Sequence, residues 1–154
     1  VAAVRVLSWY LCLPVYIVTS TFGCAAGDGG VCSNGGALSS IGVSWVVINS
    51  YFSHNEAIGW GANPAKGDSP GGGSGGAIYL DGNLFTIDIR DTVIQDNHAR
   101  EGGGAIFFVS NDRTGTMRIE YSMLRRNPSD QFETFPGIFF LGARDPTVID
   151  STIR

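Results

Sequence analysis

The sequence is short of the residues that most chemistry needs. It has two histidines and three cysteines among 154 residues, and none of them falls at a metal-ligand spacing. Neither His54 nor His98 has a Ser or Cys placed to form a nucleophilic triad. Charged residues make up 16% of the chain and the net charge is −4, so the basic footprint that nucleic acid requires is missing. The longest mostly apolar stretch, residues 6–22, is interrupted by Pro14 and too short to read as a transmembrane helix. Glycine, by contrast, is abundant at 22 residues, well above a typical usage of about 7%.

Those glycines fall in a repeat. A Gly-Gly-Ala-apolar tetrapeptide is followed by a β-rich stretch, a Ser or Thr, and finally an Asn. The copies run from Gly35 to Asn55, from Gly75 to Asn97 and from Gly103 to Asn127, and a partial fourth begins at Pro136-Gly137-Ile138-Phe139. The first interval is lengthened by residues 59–74, a Gly/Pro/Ser-rich stretch without apolar periodicity that reads as a surface loop. Self-similarity over a few tens of residues indicates stacked supersecondary units.

Aligned on the Asn, the copies place Trp45, Val47 and Phe52 over Ile87, Ile89 and Ile94, and these over Met117, Ile119 and Leu124. The first two members of each set are two residues apart, the spacing of one strand face. A single coil cannot bury that face. Coils stacked at about 4.8 Å turn each column into a continuous core. The fold expected is therefore all-β, a parallel β-helix of about three and a half coils, with Gly at tight corners and Asn55, Asn97 and Asn127 as a hydrogen-bonded ladder in left-handed backbone.

The Phe52-Ser53-His54-Asn55 segment and the Gly-Gly-Ala-Leu/Ile tetrapeptides resemble the paired repeats of polymorphic outer membrane proteins, over roughly residues 30–154. The resemblance implies a right-handed β-helix of the pectate lyase-like superfold, displayed at a cell surface or secreted. Ile94 and Leu124 stand where Phe52 is aromatic, and Gly137-Ile138 lacks the full tetrapeptide. The function expected is that of a non-catalytic adhesin, passenger or structural solenoid, with surface glycans or further β-helix coils as partners and no cofactor.

Residues 1–26 read either as a signal peptide, with Arg5 ahead of an apolar segment and small residues at its exit, or as a damaged first coil. Gly23-Cys24 also matches the end of a lipoprotein signal, so membrane contact would come through a lipidated Cys24 or through an anchor or translocator not seen here. Cys24 and Cys32 could pair in an oxidising compartment.

The alternative function is a polysaccharide lyase or glycoside hydrolase, since enzymes of the same superfold carry carboxylates, sometimes with Arg or Ca²⁺, on one outer face. Asp88 and Glu120 are the catalytic candidates under that reading. In register, however, Asp88 faces Arg118 and Arg90 faces Glu120, which describes a charge ladder and leaves no proton donor. Asp91 and Asp150 occupy the repeat position of Asn49, a turn position. Trp60, in the insertion, is the leading candidate for stacking a sugar ring, with Tyr51, Tyr79, Tyr121, Phe107, Phe132 and Phe135 as further aromatics.

Overall fold

The computed structural model describes residues 2–7, 13–23, 29–59 and 71–154. Extended segments separated by tight corners wind through successive coils. The first coil holds β1 (Val4–Leu7), β2 (Val15–Val18), β3 (Thr21–Phe22) and β4 (Val31–Cys32), and the second holds β5 (Leu38–Ile41), β6 (Trp45–Ile48), β7 (Tyr51–Ser53) and β8 (Glu56–Ala57). The third comprises β9 (Ile78–Gly82), β10 (Thr86–Arg90), β11 (Val93–Gln95) and β12 (His98–Ala99). The fourth comprises β13 (Ile106–Ser110), β14 (Thr116–Glu120) and β15 (Met123–Arg125), and the fifth β16 (Ile138–Leu141), β17 (Thr147–Ile149) and β18 (Thr152–Ile153).

Each strand pairs in parallel with its counterpart one coil away. The sheets are β1-β5-β9-β13-β16, β2-β6-β10-β14-β17, β3-β7-β11-β15-β18 and the shorter β4-β8-β12. The molecule is a right-handed parallel β-helix. Its stack is taller than the three and a half coils counted from the repeats, because three sheets have five rungs. The extra rung is supplied by residues that lack both Gly-Gly-Ala and Asn. Val4–Leu7 lies against Leu38–Ile41, Val15–Val18 against Trp45–Ile48, and Thr21–Phe22 against Tyr51–Phe52.

The apolar columns are those expected. Trp45 pairs with Ile87 and Ile87 with Met117; Val47, Ile89 and Ile119 form the second column, and Phe52, Ile94 and Leu124 the third. All nine side chains are buried. Rings also stack inside the coil, Phe22 on Phe52 at 4.9 Å and Phe85, Phe108 and Phe140 in sequence at 4.5 and 4.9 Å.

The glycines divide into two roles. Gly35, Gly75 and Gly103, the first of each pair, and Gly137, which stands at the Ala position of the partial fourth copy, have φ between 65° and 74°, a region L-residues with a Cβ rarely occupy. Gly76, a second glycine, has no room for a side chain: a Cβ there would lie 2.2 Å from the Gly104 carbonyl oxygen of the next coil.

The Asn column forms as expected in its bonding and differs in its backbone. The backbone N–H and side-chain amide of Asn55 both donate to Oδ1 of Asn97, at 3.0 and 2.9 Å, and those of Asn97 donate to Oδ1 of Asn127 at 3.2 and 2.9 Å. Left-handed backbone is found one residue earlier, at His54, Asp96 and Arg126, with φ of 56°, 57° and 51°. The preceding residue makes the turn, and the Asn that follows then aims both its donors along the stack. Gly30 stands in for Asn in the first coil, its N–H donating to Oδ1 of Asn55.

A second polar ladder runs through all five coils at Ser20, Ser50, Thr92, Ser122 and Ser151. The hydroxyls of Ser50, Thr92, Ser122 and Ser151 each accept the N–H of the preceding member of the column at 3.0–3.2 Å. Each also donates to the carbonyl two residues before it, as Ser122 does to Glu120. Just ahead of these hydroxyls lies the other left-handed column, Thr19, Asn49, Asp91, Tyr121 and Asp150, with φ of 44–50°, which places Asp91 and Asp150 in turns as expected.

Candidate functional site

Side chains alternate across a strand, so every sheet of the helix has an outer face. On the first sheet, Ile78, Leu80, Ile106 and Phe108 point inward and are buried. The intervening residues stack outside as rings. Tyr79 lies on Phe107 with centroids 5.2 Å apart and planes within 5°, and Phe107 lies on Phe139 at 5.1 Å. Phe132, from the loop after the Asn127 corner, meets Phe139 edge-on at 4.9 Å. The Cβ-less Gly102 makes this possible, because a Cβ there would come within 2.0 Å of the Phe132 ring.

Between Phe107 and Phe132 the surface opens into a cavity of about 270 Å³, lined also by Tyr79, Asp81, Glu101 and Asn111. Asp81 is fixed by two donors, the Tyr79 hydroxyl at 3.2 Å and the Asn111 amide at 3.0 Å. Glu101 is 7% exposed, and its carboxylate accepts from the Ser74 hydroxyl at 3.1 Å. Burial pushes the Glu101 carboxyl above its ordinary value, with the Ser74 bond acting in the opposite direction. The cavity belongs to the third and fourth coils, inside the stack and away from its ends.

The second sheet carries the charged outer face. Asp88 is in register with Arg118 and Arg90 with Glu120, as expected. Only one of those facing pairs forms an ion pair, Arg90 with Glu120 at 3.2 Å; Arg118 turns along its own strand to Glu120 rather than across to Asp88. The bond from Arg118, helped by the charge of Arg90, holds the Glu120 carboxyl below its ordinary range, which suits an acceptor and not a proton donor.

Further along the outer surface, Arg126 grips Asp96 through both oxygens, at 2.6 and 2.8 Å, and His98 meets Asp130 at 2.8 Å. Tyr51 accepts from Gln95, Phe135 packs against the core, and Tyr121 is exposed. Trp60 lies outside the described residues, as does Cys24, so the leading aromatic candidate and the expected Cys24–Cys32 pairing are not placed by this structure. Among the described residues no group of His, Cys, Asp or Glu is arranged to hold a metal ion, and no helix is long and apolar enough to cross a membrane.

Sequence reasoning brings out Tyr79, Phe107 and Phe132 only as scattered aromatics and Asn111 only as the start of a polar loop, 111–115, where binding could reside, and it misses Asp81 and Glu101. Aligning the copies on the tetrapeptide in place of the Asn shows the column directly, since Tyr79, Phe107 and Phe139 each lie two residues beyond the Ala position. The carboxylates carry no such signal, because they come from different parts of two coils.

No curated protein and no solved structure was matched by the chain. A family profile does match, that of the Chlamydia polymorphic membrane protein repeat, over residues 49–81 and 91–109. Each matched segment runs from the left-handed corner at Asn49 or Asp91, through the hydroxyl and Asn ladders, to the glycine pair and first strand of the next coil. The profile therefore spans the ladders that join one coil to the next, and the β-helix is built on repeats similar to those of the polymorphic membrane proteins.

Proposed function

We propose that this chain is a length of surface-displayed β-helix that acts by binding, as an adhesin or passenger does, and not by catalysis. The observation that carries this reading is where the polar side chains go. Asn55, Asn97 and Asn127, the Ser/Thr column and the Arg90–Glu120–Arg118 cluster are all spent on holding coils in register, and the repeat they define is the one shared with polymorphic membrane proteins. Of the two carboxylates proposed for hydrolysis, Glu120 forms part of that scaffold. A stiff solenoid of this kind presents its outer faces for contact along its length.

The test is exposure on intact cells that produce the protein with its natural flanking sequence. An antibody raised against residues 59–74 should label unbroken cells, and external protease should remove that label. Labelling only after the envelope is opened would overturn the reading.

A further inference from the structure

We infer that the cavity between Phe107 and Phe132 on the first sheet is a saccharide subsite that takes a neutral pyranose ring and discriminates against acidic sugars. A pyranose has apolar C–H faces and a rim of hydroxyl groups. The cavity offers the complement to both, with aromatic surface from Phe107, Phe132 and Tyr79 beside acceptors from Asp81 and Glu101. Its volume of about 270 Å³ lies just under the usual range for drug-sized ligands, a size suited to a single ring.

Two features mark it as a built site. Glu101 is more than nine-tenths buried, yet Ser74 donates to only one of its oxygens, so an ionised carboxylate lining the cavity retains acceptor capacity for a ligand hydroxyl. Asp81 is held in place by the Tyr79 and Asn111 side chains rather than by a cation. Among the described residues the lining contains no Lys or Arg. A uronate, sialylated or sulfated sugar would bring its negative charge against two carboxylates with no cation among those lining residues to neutralise it.

The inference rests on reading the chain as a surface binder and names the ligand class, and the two can fail separately, because the subsite is tested on purified protein. The 154-residue chain is titrated by ligand-observed NMR with cellotetraose, maltotetraose and chitotetraose, and in parallel with tetragalacturonate, sialyllactose and tetramethylammonium. At least one neutral oligosaccharide should bind, and more tightly than either acidic sugar. Phe132→Ala should weaken that binding about tenfold, the effect of one lost aromatic contact. Glu101→Gln should weaken it by a similar factor while leaving the thermal melt at neutral pH no lower, since burial already penalises the charged form.

Phe132 is 39% exposed, so its truncation should leave the fold standing, and circular dichroism spectra of both variants should match that of the wild type. No saccharide binding by the folded wild-type chain would overturn the assignment. So would preference for an acidic sugar or for tetramethylammonium, or neutral-sugar binding that both variants leave unchanged.

Discussion

At the scale of single residues, Asn97 is the most connected polar side chain in the stack. It receives two donors from Asn55, gives two to Asn127, and its amide also reaches the Gln95 and Phe52 carbonyls. Replacing it with Leu takes away the acceptor of the buried Asn55 backbone N–H, while the backbone N–H of residue 97 still reaches Oδ1 of Asn127 and the Asn55 amide keeps the Phe22 and Ser53 carbonyls. A buried donor left unmet costs about 1–3 kcal/mol. Asn97→Leu should therefore destabilise the chain by about 1–3 kcal/mol in urea melts; a midpoint equal to wild type would remove the ladder's energetic role. Tyr121 shows the opposite case. It stands at φ 50° in a column otherwise filled by Thr, Asn and Asp, and left-handed backbone costs a residue with a Cβ roughly 1–2 kcal/mol. Tyr121→Asn should recover about 1 kcal/mol of that strain, seen as a higher melting midpoint.

At the scale of elements, the second sheet's outer face should contribute little to stability. Glu120 accepts from two arginines whose side chains are 48% and 43% exposed, so solvent screens the guanidinium side of both pairs. The double change Asp88→Asn with Glu120→Gln should leave the urea midpoint close to that of wild type and leave saccharide binding on the first sheet as it was. Loss of binding in that variant would connect the two faces. The inner face of this sheet was legible in the sequence, because Trp45, Ile87 and Met117 repeat at equivalent positions. Arg118 turning to Glu120 was not, since register specifies which residues face each other and not which of two reachable carboxylates a flexible guanidinium takes. The first coil was legible only as the alternative to a signal peptide, for a different reason. Its strands are apolar enough to stack, but Gly30 replaces the Asn that marks every later coil up to Asn127. The cavity is the least legible feature of all, since Asp81, Glu101, Asn111 and Phe132 meet only once the third and fourth coils are stacked.

Over the whole molecule, acid titration should show two opposed contributions. Burial raises the Glu101 carboxyl above its ordinary value of 4.5, so the folded chain binds that proton more tightly than the unfolded one. Stability should rise as pH falls through the folded value toward 4.5. The bond from Arg118 lowers Glu120, and the bond from Arg126 lowers Asp96 from an ordinary 3.8. Their contributions are present above the unfolded values and are lost as pH falls below about 4.5 and 3.8 respectively. Urea midpoints measured from pH 7 to pH 3 should thus pass through a maximum in mild acid. Glu101→Gln should remove the rise and Arg126→Ala should soften the fall.

The insertion leaves and rejoins the stack at one point, because the Gly59 and Gly73 amides both donate to the carbonyl oxygen of Ser33, at 3.2 and 2.7 Å. Whatever lies between them is closed by the same clasp, and the next coil resumes its register regardless of what has been looped out. Doubling such a loop costs only about 0.6 kcal/mol of closure entropy. The clasp is therefore a graft point, at which foreign peptide of very different length and composition can be exchanged by mutation or by design while the solenoid beneath it stays the same.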